Sequence, residues 1–403
     1  MNKFICTSLV AFFSITAFAQ QSISVNVSNP LPTDRSDQPV VISLSEYGEI
    51  TKVIVTCEGK EIPCQLDDLN QDEIFDELCF LADLKGKEHK QYKIELFNDP
   101  QLQPAKYPAR VFAEMLVRND KVKEKNKHNN FIESITVRGD CAYSYNIQHH
   151  HGVDFESELN GIRIYFDKRQ TLDLYGKFQK RLELEATQFY TSKQQKAEGY
   201  GDDVLWVGNT FGLGAFRGWD GNQPTMIDPV KSRTQRIISY GPLRTIVEVI
   251  DKGWQGLNMT LRYTQYAGHR DTDVDVIFNK DVANYQFSTG IINVKGSEEF
   301  SDKKGLRACW GTDWPSGDTI NFKRETVGLG ILIPAKYIKS EQPANKDNYA
   351  FVVGSQGRSL SYKVTYCSDN ETFGYHSAKD WFAFLREWKK EVEKPVKITV
   401  AKR

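Results

Sequence analysis

Residues 243–278 read LRTIVEVIDKGWQGLNMTLRYTQYAGHRDTDVDVIF. Three long strand candidates lie in this stretch, at 243–250, 257–265 and 271–278, and the gaps between them are hairpin-sized. Strands this long and this closely joined predict antiparallel pairing in a large β-sandwich, not a parallel sheet with crossover helices. Further candidates at 161–167 and 360–366 extend the same pattern on either side.

Between residues 22 and 97 the strand signals are shorter. Segments such as Val53-Ile54-Val55 and Tyr92-Lys93-Ile94-Glu95-Leu96 alternate with polar or Pro-containing turns, as in an antiparallel sandwich. The Pro104 to Pro108 stretch supplies extended and turn signals and sets the boundary near Pro108. The expected organisation is therefore all-β: an N-terminal β-sandwich over 20–108 and a larger β domain over 109–403, with the functional cleft on its concave face. The charged 119–130 segment is expected to be a linker or exposed loop. One helix is predicted over 377–394. Trp381, Phe384, Leu385, Trp388 and Val392 share a face, Ser377 and Asp380 form a cap pair, and Pro395 lies beyond the end. Its aromatic stripe should pack against a sheet.

At the N-terminus, Lys3 precedes an apolar run over 4–18 that ends in Ala17-Phe18-Ala19. This predicts a signal peptide over 1–19 cleaved near Ala19, hence a periplasmic or secreted protein. No later stretch approaches the ~20 apolar residues of a membrane span. With 52 basic against 53 acidic residues the net charge is -1, which removes nucleic acid from the expected partners. Beyond Cys6, the cysteines are Cys57, Cys64, Cys79, Cys141, Cys309 and Cys367, an even set for an oxidising compartment. A Cys57–Cys79 disulfide is expected.

The chemically suggestive residues fall between 148 and 275. In His149-His150-His151-Gly152-Val153-Asp154-Phe155-Glu156, a strand would send His149 and His151 to one face and His150 to the other. Such a pair can hold a divalent metal, or His151 can move a proton near neutral pH. In the next segments Arg163, Tyr165, Tyr175 and Lys177 share a face, which is either the exposed side of a sheet or the floor of a polar cleft. Glycine-rich runs follow, carrying Asp203, Arg217, Trp219 and Asp220, the residue types of a sugar site. Tyr240, at a Gly-Pro corner, and His269 are candidate catalytic groups, and Arg244 or Arg270 can hold a carboxylate bidentately. No Walker loop, His-Glu-x-x-His, Gly-x-Ser-x-Gly or dinucleotide fingerprint occurs, which argues against an NTPase, zincin, esterase or dehydrogenase.

Taken together, HGVDFE at 151–156, RIYF at 163–166, DLYGK at 173–177, DVLWVGNTFGLG at 203–214 and YGPLR at 240–244 resemble a secreted family common in polysaccharide-utilisation loci of Bacteroidota. The likeness covers nearly the whole chain, including Ile62-Pro63-Cys64-Gln65. That family is similar to the oligosaccharide dehydratases and lyases of ulvan-type degradation, which act on terminal uronic acids. The resemblance implies a sandwich domain joined to a galactose-mutarotase-like supersandwich and an oligosaccharide substrate. No cofactor is expected to be required beyond the divalent metal that the histidines could hold.

Elimination next to a uronate needs a carboxylate neutraliser, a base and an acid. Arg217 or Arg244 suits the first task, and His151 with Tyr240 the other two. Glu156, Arg163, Tyr165, Lys177, Asp203, Trp219 and His269 are the candidate substrate-binding residues. A hydrolase or epimerase would instead use Asp203 with Glu156. A non-catalytic glycan binder would stack sugars on Trp206, Trp219 and Trp310.

Overall fold

The computed structural model describes residues 21–118, 130–139 and 144–401. The expected leader, Cys6, Cys141 and residues 119–129 of the charged segment lie outside the described residues. Strands dominate, and no described helix is long and apolar enough to cross a membrane.

In the first unit two antiparallel sheets face each other. One joins Lys397–Ala401, Gln21–Ser28, His89–Phe97, Lys52–Cys57 and Lys60–Ile62; the other joins Arg35–Ser43, Glu77–Leu84 and Cys64–Asp67. Period-two alternation sends Ile23, Val25 and Val27 inward against Val40, Ile42 and Phe80. The last strand departs from the expected boundary. Residues 397–401 return to the first unit, where Val400 pairs with Val25. Pro395 ends the preceding helix and the chain then reads as a strand, but which sheet it joins is a non-local outcome.

The second unit is larger. A nine-stranded sheet runs in the order Glu298–Ser301, Leu306–Asp313, Glu325–Leu332, Ser359–Ser368, Asp271–Phe278, Leu257–Tyr266, Arg244–Trp254, Ser232–Tyr240 and Ser134–Arg138. The 243–278 stretch supplies three adjacent members, with Val247 opposite Tyr263 and Tyr263 opposite Val274. Two five-stranded sheets pack with it around one apolar cluster that includes Phe155, Phe216, Val247, Leu261, Phe287 and Val364. The expected all-β architecture, a sandwich joined to a large β-supersandwich with a C-terminal helix, is what the chain adopts.

That helix spans Ala378–Glu393. The Ser377 hydroxyl accepts from the Asp380 backbone N–H, and Trp381, Leu385 and Trp388 are buried. The Trp381 indole N–H donates to the Leu329 carbonyl at 3.2 Å, fixing the helix on the nine-stranded sheet. Trp310, partly buried, packs against this same cluster.

The two units are joined by buried polar contacts. The Gln65 side-chain carbonyl accepts from the Leu243 and Arg244 N–H groups at 2.7 and 3.0 Å, and its amide donates to Ser239 Oγ and the Arg244 carbonyl. The Arg244 guanidinium donates to Asp67 and Glu77, each at 2.7 Å. Arg110 similarly bridges Asp37 and Glu158. His269 donates from Nε2 to the Asp37 carbonyl at 2.8 Å and holds Asp271 through Nδ1 at 3.2 Å. Arg244 and His269 are thus consumed by the interface, which corrects their assignment to substrate: both already have acceptors from the protein itself.

The expected disulfide is also corrected. Cys57 ends a strand of one N-terminal sheet, whereas Cys79 lies within the facing sheet, and both are free thiols, as are Cys64, Cys309 and Cys367. Burial pushes the Cys79 thiol up to about 12, with the Arg244 charge opposing. Alkylation and mass mapping of the unreduced protein should recover Cys57 and Cys79 on separate, alkylated peptides; a linked peptide would contradict this packing.

Removing Arg244 would leave Asp67 buried without its cation. Arg244→Ala should cost about 3–5 kcal/mol in urea unfolding, and a loss below about 1 kcal/mol would show that the interface does not depend on the pair. His269 adds a pH term. Burial disfavours its imidazolium, but Asp271 outweighs that and raises the pKa above 6.5. Its stabilisation is therefore complete below 6.5 and is lost as pH rises through the raised value. His269→Gln should remove that part of the stability–pH profile, and an unchanged profile would rule it out.

Candidate functional site

One five-stranded sheet of the larger unit carries most of the residues singled out in the sequence. Its strands are Asp202–Asp203, Leu172–Gly176, Gly161–Tyr165, Gly152–Ser157 and Val111–Glu114. Val153, Phe155, Ile162, Ile164, Leu172 and Leu174 turn into the core. The alternate positions place Asp154, Glu156, Arg163, Tyr165, Asp173, Tyr175 and Asp203 on the outer face. The sequence left this face as either an exposed side or a cleft floor. It is neither fully: most of it is buried beneath the chain segment that follows Lys177.

Arg163 is the centre of this face. It donates to Asp173 Oδ2 from Nη2 at 2.6 Å and from Nε at 3.2 Å, and to Asp203 Oδ2 at 3.2 Å. The Tyr165 and Tyr190 hydroxyls accept from it at 3.1 and 3.0 Å, and the Phe189 ring lies 4.1 Å from its guanidinium carbon. The Tyr165 hydroxyl in turn donates to Asp173 at 2.7 Å. Burial and the Asp173 charge lift the Asp203 carboxyl well above its ordinary value, with Arg163 opposing. Burial raises the Tyr165 phenol as well, again with Asp173 adding, so it is a neutral proton donor.

Glu156 and Lys177 hold the cover in place. Lys177 Nζ donates to Glu156 at 2.5 Å and to the Ser157 and Arg181 carbonyls. Glu156 also accepts from the Glu183 and Leu184 N–H groups at 2.7–2.9 Å. Both side chains are fully buried, and their bonding is complete. They anchor the segment that brings Phe189 and Tyr190 over Arg163. This corrects their placement as substrate contacts, and with it the Asp203–Glu156 hydrolase pair: Glu156 has no face left for a sugar.

The histidine run does not form a strand. It is a turn leading into Gly152–Ser157, with His151 in the left-handed region at φ 71°. Gly152 permits this path, since a Cβ there would lie 1.8 Å from the Ile164 carbonyl oxygen. His150 is buried on the sheet face, against the expected grouping of His149 with His151. The half-buried His151 lies beside Tyr165, ring centroids 6.4 Å apart, and His149 lies edge-on to Tyr190 at 6.5 Å. Arg169 stacks over Tyr165 at 4.6 Å and pairs with Asp167. The rim of the face is therefore a phenol with an imidazole and a guanidinium beside it.

Next to this rim opens a cleft of about 660 Å³, lined among others by Trp206, Asn209, Thr210, Arg217 and Asn348. Trp206 is 59% exposed. Arg217 is buried in its wall, donating to Thr171 Oγ1 at 2.9 Å and to the Thr210 and Phe216 carbonyls. No carboxylate among the described residues pairs with it, and burial pulls its pKa down to about 10. Trp219, half-buried, pairs across a short hairpin with Pro224 at the same end of the molecule.

Tyr240 is elsewhere. It lines a groove between the units with Tyr107 and Pro242, and its ring contacts Phe131. The expected His151–Tyr240 pair is not brought together, and Arg270 is spent on Glu371 at 2.7 Å. Sequence reasoning missed Asp173, Tyr190 and Glu114. Asp173 had a usable signal, since it shares strand parity with Tyr175 and Lys177. Tyr190 lies in irregular chain, and Glu114 joins the face only through non-local pairing.

The fold has a counterpart among solved structures. The chain is similar to a protein in glycosyl hydrolase family 38 from Enterococcus faecalis, with a TM-score of 0.51 at 8% identity, over 95% of this chain and 48% of that one. At that identity the likeness is one of fold, and this chain spans about half the length of that protein. No curated protein matches the chain. Residues 27–398 match the family described as Domain of unknown function (DUF4861), and the chain belongs to that family.

Proposed function

We propose that the chain is an exported carbohydrate-active enzyme that cleaves uronate-containing oligosaccharides by β-elimination. The observation that carries this reading is the placement of His151 beside Tyr165 at the rim of a buried charge network. The half-buried His151 imidazole is the base that removes the proton next to the uronate carboxyl group. The electron pair left behind forms the C4–C5 double bond as the C4–O bond breaks. Tyr165, kept protonated by burial and Asp173, gives its proton to the departing oxygen. Arg169, stacked on Tyr165, is the rim cation that stabilises the carboxylate and its enolate-like intermediate. Arg217 and Trp206 form the adjoining subsite, where a buried cation in the wall and an exposed ring suit a second sugar, with Asp347 also lining the cleft. The family 38 likeness supports a fold used on carbohydrates, and the leader expected at 1–19 fits export.

The test uses purified protein with uronate-terminated oligosaccharides, following the ultraviolet absorbance of a new conjugated double bond. Tyr165→Phe and His151→Ala should each lower turnover roughly a hundredfold or more, with both proteins still folded and Tyr165→Phe losing only about 1–3 kcal/mol for its bonds to Asp173 and Arg163. Tyr240→Phe separates the two tyrosines, and retention of activity is expected. New reducing ends without absorbance would point to hydrolysis, and affinity without turnover to a glycan-binding protein; either outcome overturns the elimination reading.

A further inference from the structure

The same sheet face carries a second ionisable group that the proposed reaction does not use. Glu114 on Val111–Glu114 and Asp154 on Gly152–Ser157 are direct partners in the antiparallel register. Both are fully buried. Like charges directly opposite each other destabilise a sheet, and removal from water adds a desolvation cost for each carboxylate. Arg163 sits opposite Asp154 across the other edge of its strand, where its guanidinium is held by Asp173 and Asp203 and its Nη1 reaches the His150 carbonyl at 3.5 Å.

His150 stands at the right place. Its Nε2 is 3.0 Å from Asp154 Oδ2 and 3.5 Å from Glu114 Oε1. Its Nδ1 faces the Gly152 carbonyl oxygen at 3.2 Å. A carbonyl only accepts, so Nδ1 carries a proton and Nε2 is directed between the two carboxylates. Metal-binding histidines are held this way, with one ring nitrogen donating to the backbone and the other on the ion. The three ligand atoms come from a strand end, a turn and a neighbouring strand, and all lie within 4.8 Å of one another.

The geometry points to a divalent-cation site formed by Glu114, His150 and Asp154. One imidazole and two carboxylates are a mixed nitrogen–oxygen donor set, which suits Zn²⁺ or Mn²⁺ better than the oxygen-seeking Ca²⁺ or Mg²⁺. A dication also neutralises the two carboxylates with the imidazole left neutral. His149 and His151 flank the ligand in sequence, so the ion would fix the turn that presents His151. The inference stands apart from the reaction proposed above, because binding is measured without a sugar.

Full-length protein stripped with EDTA is titrated with ZnCl₂ and, separately, MnCl₂ by calorimetry and thermal unfolding. The expected result is about one ion per chain, a higher Tm with the ion, and ~tenfold or greater weakening in Glu114→Gln and Asp154→Asn. If a variant does not fold, a wild-type crystal soaked in Mn²⁺ supplies the test through an anomalous peak at His150. Absence of binding by the wild type, equal affinity in folded variants, or a peak elsewhere would overturn the site and leave the two carboxylates neutralised by a proton or another side chain.

Discussion

Placing a row of ionisable side chains on the outer face of one sheet, and then covering it, is the constraint that the larger unit has to meet. A buried guanidinium or carboxylate is tolerated only when paired and fully hydrogen-bonded. Arg163, Glu156 and Lys177 meet that condition in their own ways. Arg163 collects two carboxylates, two phenols and an aromatic face. Glu156 and Lys177 saturate each other and the chain above them. Toward the rim, at His151, Tyr165, Arg169 and the exposed Tyr190, the network meets solvent, and a polar network that is rigid underneath and open at its edge is suited to positioning a reacting group.

The smaller unit contributes by consuming charges that the sequence offered to a substrate. Gln65 satisfies the backbone at the start of the strand Arg244–Trp254, and Arg244 is held by Asp67 and Glu77. The return of Lys397–Ala401 to the first sheet pairs it with Gln21–Ser28, and Arg35 holds the carbonyls of Glu391 and Lys394 at the end of the C-terminal helix. The interface is therefore polar and specific, and the two sandwiches are held in a single register.

The fold was largely legible. Residues 243–278 carry enough period-two signal and short enough turns that the three-strand core of the large sheet follows from local pattern alone, and the helix follows from its cap and aromatic stripe. The site was legible only in part. Strand parity grouped Arg163, Tyr165 and Lys177 correctly, yet parity says which face a side chain takes and not what covers that face. The pairing of Lys177 with Glu156, the capture of Arg244 by the smaller unit and the separation of Tyr240 from His151 all depend on contacts across long sequence distances. The histidine run misled for a different reason: read as a strand it groups His149 with His151, whereas the turn at His151 buries His150.

The most direct measurement is a crystal structure of the Tyr165→Phe protein with a uronate-terminated oligosaccharide bound. The sugar ring should lie between His151 and residue 165, with its carboxylate toward Arg169 and the next sugar toward Trp206 and Arg217. A sugar seated in the groove at Tyr240, or bound without contact to His151, would contradict the account.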